Sequence, residues 1–101
     1  MLKNFRTYQL SIQFHRNCSQ LKLDHDLKRQ LNRASSSIVL NLAEGSGKPT
    51  WKDKRRFYSF SLGSLRECQA ILDLSEASSD MYDLSDKLGA YIYKLIKNTG
   101  P

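Results

Sequence analysis

Proline placement sets the frame for this chain. It has two prolines, Pro49 and Pro101, so only one point inside the sequence loses an amide donor and resists continuing a helix. Pro49 closes Gly45-Ser46-Gly47-Lys48-Pro49, the strongest turn signal in the chain. On both sides apolar residues recur at intervals of three and four, and no alternating strand pattern runs longer than a few residues. With 101 residues there is material for one core. The pattern predicts a single all-α domain over 1–101, an antiparallel up-down four-helix bundle with helices at about 2–21, 26–44, 50–78 and 81–97.

The two central helices carry the most information. In the first, Leu27, Leu31, Ala34, Ile38 and Leu42 have core-face spacing. Beside them Arg33, Ser37, Asn41 and Glu44 are four, four and three apart, which places them on one stripe. A polar stripe hugging an apolar one predicts side chains that meet the facing helix. Ser35, Ser36 and Ser37 are mediocre helix formers, better explained as a close-packing surface. Gly45 is expected to end this helix as a left-handed C-cap. Thr50-x-x-Asp53 approximates a capping box for the next one. There Phe57, Phe60, Ser64, Cys68, Ile71 and Leu74 form one row, and Leu62, Leu65 and Leu72 a second on another side. A small bundle needs one inward row, so the second predicts a subunit interface. Gly63, mid-helix, costs about 1 kcal/mol relative to alanine, and the expected compensation is close approach of another backbone.

Antiparallel packing across the turn sets a register in which Leu42 faces about residue 56. Arg33 then lies near Ser64 and Glu67, predicting a partly buried, bidentate Arg33–Glu67 pair. Asn41 falls near Phe57. Glu44 would meet the amides that open the third helix. Glu44 and Glu67 lie at different levels of the hairpin, which argues against shared acid/base work. In the first helix Phe5, Tyr8 and Ile12 make one row and Leu10, Phe14, Cys18 and Leu21 another, with His15 between them as filler or surface. Asp24 or Asp26 is the expected N-cap of the second helix, and the adjacent residues Asp24-His25-Asp26 do not converge as metal ligands. In the fourth helix Asp80 reads as N-cap, Leu84, Leu88, Tyr91 and Leu95 as core, and Lys94 and Lys97 as partners of the C-terminal dipole.

Composition narrows the function. The net charge is +6, the hydrophobic fraction 40% and the pI about 9.5. No apolar run approaches the roughly 20 residues that span a bilayer, and the N-terminus lacks a signal-peptide core, so a cytoplasmic location is expected. Cys18 and Cys68 are isolated, and buried reduced thiols are the reading. Gly47-Lys48 superficially looks like the end of a phosphate-binding loop. However, Leu42 replaces the required glycine, Pro49 the Ser/Thr, and a helix the preceding strand. With no activated nucleophile, ligand cluster or convergent acid/base pair, the chain is expected to be no enzyme, with no catalytic residue, cofactor or metal.

Charge is uneven. Residues 1–66 hold 13 Lys/Arg against 4 Asp/Glu, and residues 67–101 hold 3 against 6. Lys48, Lys52, Lys54, Arg55 and Arg56 cluster at the turn with Trp51, Phe57 and Tyr58 among them. Cations supply phosphate contacts and aromatic rings stack on unpaired bases, so this cluster is the candidate nucleic-acid site. The alternative is a scaffold whose basic surface docks an acidic protein partner.

The run Arg33-Ala34, Ser37-Ile38 and Asn41-Leu42-Ala43-Glu44-Gly45, then Phe57, Phe60, Gly63-Ser64 and Glu67, resembles the 23S ribosomal RNA intervening-sequence proteins, also described as four helix bundle proteins. The likeness covers both central helices. It implies an up-down four-helix bundle, assembly into a ring-like homopentamer and a link to RNA. It also implies kinship with accessory proteins of diversity-generating retroelements, basic pentamers that bind a reverse transcriptase and nucleic acid. Arg33, Ser37, Asn41, Glu44, Gly45, Gly63, Ser64 and Glu67 are then the structural motif.

Overall fold

A computed structural model describes residues 2, 5–76 and 79–101. Four helices account for nearly all of them: α1 (Arg6–Ser19), α2 (His25–Ser46), α3 (Trp51–Ser75) and α4 (Ser79–Asn98). There is no strand among the described residues. Neighbours in sequence pack side by side, and α1 closes the bundle against α4. The α2–α3 interface is the most extensive. The bundle measures 43 × 22 × 21 Å.

Helix ends follow local chemistry. Asp24 accepts the Leu27 amide at 3.0 Å to start α2, and Thr50 accepts the Asp53 amide at 3.2 Å to start α3, as the N-cap rule requires. α3 stops at Glu76, whose φ of 54° lies in the left-handed region. The sequence-predicted end at Ser78 lies outside the described residues. α4 already includes Ser79, so Asp80 sits in the first turn rather than at the cap. There its charge still complements the helix dipole.

The core is Phe14, Cys18, Leu31, Ile38, Leu42, Leu65, Cys68, Leu72, Leu88 and Ile92, all with no exposed surface, together with Tyr58 and Met81. Two expected rows on α3 are thereby corrected. Leu65, Leu72, Cys68 and Ile71 all point inward, while Phe60 and Leu74 are exposed. The core stripe of a 25-residue helix mixes members of both rows because a 3.6-residue turn drifts across a seven-residue spacing. Tyr58 is buried, and burial raises the pKa of its hydroxyl. On α4 the buried face centres on Met81, Ser85, Leu88, Gly89 and Ile92. Leu84, Tyr91 and Leu95, expected in the core, lie at its margin.

Gly45 does different work from that expected. It lies inside α2, which runs on to Ser46, and no described glycine has positive φ. A Cβ at Gly45 would stand 2.7 Å from Tyr58 Cε1 and 3.2 Å from Phe57 Cβ. Glycine is needed there because α3 lays the Tyr58 ring on the α2 backbone.

Serines line the inter-helix seams. Ser61 Oγ donates to the Ile38 carbonyl at 2.7 Å with no water in reach. The Ser37 and Ser64 hydroxyls meet at 2.9 Å. His15 Nδ1 lies 2.6 Å from Ser35 Oγ, tying α1 to α2. Short side chains let the axes approach while the buried Ser11, Ser35, Ser61 and Ser85 hydroxyls each keep a partner.

Both cysteines are free and buried. Burial pushes the Cys18 thiol up to about 12, opposed by nearby Lys28 and a Ser35 hydrogen bond. Burial also raises Cys68, with Cys18 and Glu67 adding to the effect.

Two predictions follow from this packing. Gly45→Ala must displace a buried ring, an overpacking cost of about 1–3 kcal/mol that exceeds the roughly 1 kcal/mol gained in helix propensity. Urea unfolding of this variant should therefore show a net loss. The second concerns pH. Above about pH 8.5 the thiols of the unfolded chain ionise while the folded ones stay protonated. The unfolded state then binds fewer protons, so stability falls as pH rises from about 8.5 toward 12, by up to about 1.4 kcal/mol per pH unit per thiol. Unfolding midpoints at neutral and alkaline pH should show this fall. A double Cys→Ala variant should lack the part between about pH 8.5 and 10, the buried Tyr58 hydroxyl adding a further fall above about pH 10 in both proteins.

Candidate nucleic-acid interface

Antiparallel order decides which charges meet. The ends of α2 and α4 and the starts of α1 and α3 share one end of the bundle, where the Phe5 and Tyr58 rings lie 6.3 Å apart edge to face. This end therefore gathers Arg6, Lys94 and Lys97 from the outer helices with Lys48, Lys52, Lys54, Arg55 and Arg56 from the hairpin. Its carboxylates, Glu44 and Asp53, are both paired, to Lys48 at 3.1 Å and to Arg56 at 3.7 Å. The opposite end carries Asp24, Asp26, Asp73, Glu76, Asp80 and Asp83 with Lys22, Lys28 and Arg29 among them, Arg29 paired to Asp26, so it is mildly acidic. The molecule thus has a basic and an acidic pole along its long axis. The turn cluster was legible in sequence. The contribution of Arg6, Lys94 and Lys97 was not, because it depends on which helix ends the fold brings together.

The six predicted binding residues divide by environment. Lys52, Arg55 and Arg56 are exposed. Lys52 Nζ hovers 5.7 Å from the centre of the Trp51 ring, which opens α3 and is partly solvent-facing. Lys48 and Lys54 are half-buried and already engaged. Lys54 Nζ donates to the Ser46 carbonyl at the end of α2, 2.9 Å away. Lys48 pairs with Glu44 and lies 4.8 Å from the Phe57 ring centre. These two close the hairpin by neutralising the negative end of α2. Of the aromatics expected to stack on bases, Tyr58 is core. Phe57 sits beneath Lys48 and Arg56 and packs edge-on against Phe60 at 5.5 Å. Trp51 is the member at the surface.

The structural motif forms the outer seam of α2 and α3. Arg33 reaches Glu67 as the register required, but through one contact of 3.5 Å between exposed groups. It is neither buried nor bidentate, and exposed pairs contribute about 0–1 kcal/mol. Asn41 turns back on its own helix, donating to the Ser37 carbonyl at 2.9 Å and hydroxyl at 3.1 Å, instead of reaching toward Phe57. Glu44 takes Lys48 rather than the α3 amides, since Thr50 already caps that helix. Gly63 is exposed, and a Cβ there would meet nothing within 4 Å. The backbone neighbour expected for it is not supplied by the described residues of this chain.

Among the described residues no group of three or more His, Cys, Asp or Glu converges to hold a metal. Likewise, no described helix is long and apolar enough to cross a membrane.

Fold and charge layout together define a class, the small four-helix bundle with one strongly basic pole. The family model described as 23S rRNA-intervening sequence protein matches residues 3–100. The chain belongs to that family. No curated protein and no solved structure matches it.

Lys54 and Arg55 are adjacent yet differ in kind. Lys54→Ala should lower stability by about 1 kcal/mol by freeing the α2 carbonyl end. Arg55→Ala should stay within about 0.5 kcal/mol of wild type. Thermal unfolding of the two variants checks the division.

Proposed function

We propose that the protein is a non-enzymatic, self-associating helical bundle of the cytoplasm that binds RNA, or another nucleic acid, through its basic pole. The observation that carries this reading is the gathering of cations from four helix ends against two carboxylates that are already paired. Such a surface makes phosphate contacts without reading sequence. Trp51 beside Lys52 adds a ring for an unpaired base.

Self-association rests on the α2–α3 seam. Leu40 is 67% and Phe60 49% exposed, and the register sets them at one level. Bare Gly63 lies one turn along from Phe60. A second copy laid on this seam would cover both side chains and use the space at Gly63. Closed repetition of that contact as a ring-like homopentamer would place the basic poles around one rim. In a second reading, Leu40 and Phe60 hold a different protein, and the chain serves as an accessory subunit of a nucleic-acid enzyme such as a reverse transcriptase.

Titration with single-stranded and ribosomal RNA across salt tests the proposal. Wild type should show a steep decline of log affinity with log salt, about 0.7 per single-strand phosphate contact. The Lys52, Arg55, Arg56→Ala variant should lose most of that slope while staying folded. Absence of RNA binding at low salt would contradict the reading. Light scattering should give five protomer masses of 11.6 kDa for wild type and a monomer for Leu40→Glu/Phe60→Glu. A wild-type monomer would favour the second reading.

A further inference from the structure

On the side of the bundle away from the α2–α3 seam, α1 and α4 leave a groove between them. Toward the basic pole it is a cleft of about 410 Å³ lined by Arg6, Thr7, Tyr91, Lys94, Leu95 and Asn98. Further along it continues as a cleft of about 240 Å³, where Gln9, Leu10, Gln13 and Lys87 join Arg6 and Tyr91. Arg6 and Tyr91 border both, so the two are one track.

Its lining has a consistent chemistry. Arg6, Lys87 and Lys94 are exposed cations, and among the described residues no carboxylate lines either cleft. None of the three is in an ion pair among the described residues. Gln9, Gln13 and Asn98 offer side-chain amides that both donate and accept. Half-buried Tyr91 lies between Lys87 and Lys94 on one face of α4, at intervals of four and three residues. The two lysines are thus about 10 Å apart along the helix. The groove opens at the basic pole, because Arg6 begins α1 and Asn98 ends α4.

We infer that the α1–α4 groove is a track for a single strand of nucleic acid leaving the basic pole, with Arg6, Lys87 and Lys94 on its phosphates and Tyr91 stacked on a base. The inference rests on the proposed nucleic-acid binding and adds the strandedness and path of the ligand. Flanking cations with an aromatic ring between them are what unpaired, sequence-tolerant binding uses. A duplex keeps its bases stacked inside and presents its backbone. It can touch the rim cations but cannot place a base against Tyr91. An acidic peptide would satisfy the cations and leave the ring and amides without a role.

The test is fluorescence anisotropy with a labelled single-stranded oligouridylate, a duplex RNA of equal length, and polyglutamate as competitor. Tyr91→Ala should weaken single-strand binding about five- to a hundredfold, the range set by one lost stacking contact, with duplex binding unchanged. Tyr91→Phe should restore it. Lys87→Ala/Lys94→Ala, surface changes that spare the core, should weaken the single strand more than the duplex. The pole variant Lys52→Ala/Arg55→Ala should weaken both. If Tyr91→Ala and the double lysine variant bind the single strand as wild type does while the pole variant fails, the groove inference falls and the pole reading stands. If wild type binds no nucleic acid, both fall. Displacement of the oligouridylate by polyglutamate at equal charge concentration would also overturn the track, in favour of an acidic protein.

Discussion

Everything else in this bundle depends on how closely α2 and α3 approach. Gly45 lets the Tyr58 ring rest on the α2 backbone, where a methyl group would stand 2.7 Å from it. One and two turns further along, Ser61 bonds the Ile38 carbonyl and Ser37 meets Ser64. Small residues at each level bring the axes together, and hydroxyl pairs remove the cost of burying polar atoms. This fixes the hairpin's register, which the Arg33–Glu67 contact follows rather than sets. With the register fixed, the apolar faces of α2 and α3 form a surface against which α1 and α4 pack.

The charge distribution is a consequence of that order. Antiparallel helices bring residues separated by most of the sequence, Arg6 and Lys97, to the same end as the hairpin turn. Cations there serve two physical ends. Lys48 and Lys54 neutralise the C-terminus of α2, while Lys52 and Arg55 remain open to solvent. The dipole ends at this pole, two positive from α1 and α3 and two negative from α2 and α4, largely cancel, so its attraction for anions comes from the side-chain cations. A charged pole of this kind raises local polyanion concentration and weakens with salt.

Much of the fold was legible in the sequence because helices announce themselves by period and punctuation. Pro49, Asp24 and Thr50 marked the turn and two caps, and antiparallel packing across that turn gave a register that brought Arg33 level with Glu67. What was not legible depended on rotation and on contacts between helices. Tyr58 reads as a base-stacking candidate until the α3 core stripe is known to pass through it. Gly45 has the position of a C-cap, and only the ring of Tyr58 above it shows a packing role. Asn41 could have bonded across the seam, yet the Ser37 carbonyl on its own helix was nearer. Of the site, the turn cations were visible as a run, whereas Arg6, Lys87 and Lys94 were scattered singles. Tyr91, assigned to the core by its spacing, lies at the margin where α1 and α4 part.

The central claim is that four helix ends form one polyanion-binding pole. The most direct measurement is mapping of amide and side-chain NMR shifts on adding a short single-stranded RNA at low salt. The account predicts that perturbed residues cluster at Arg6, Trp51, Lys52, Arg55, Lys94 and Lys97, drawn from three separate helices, with the Asp73–Glu76 and Asp80–Asp83 end unaffected. Shifts confined to the opposite end, or scattered without focus along the bundle, would contradict it.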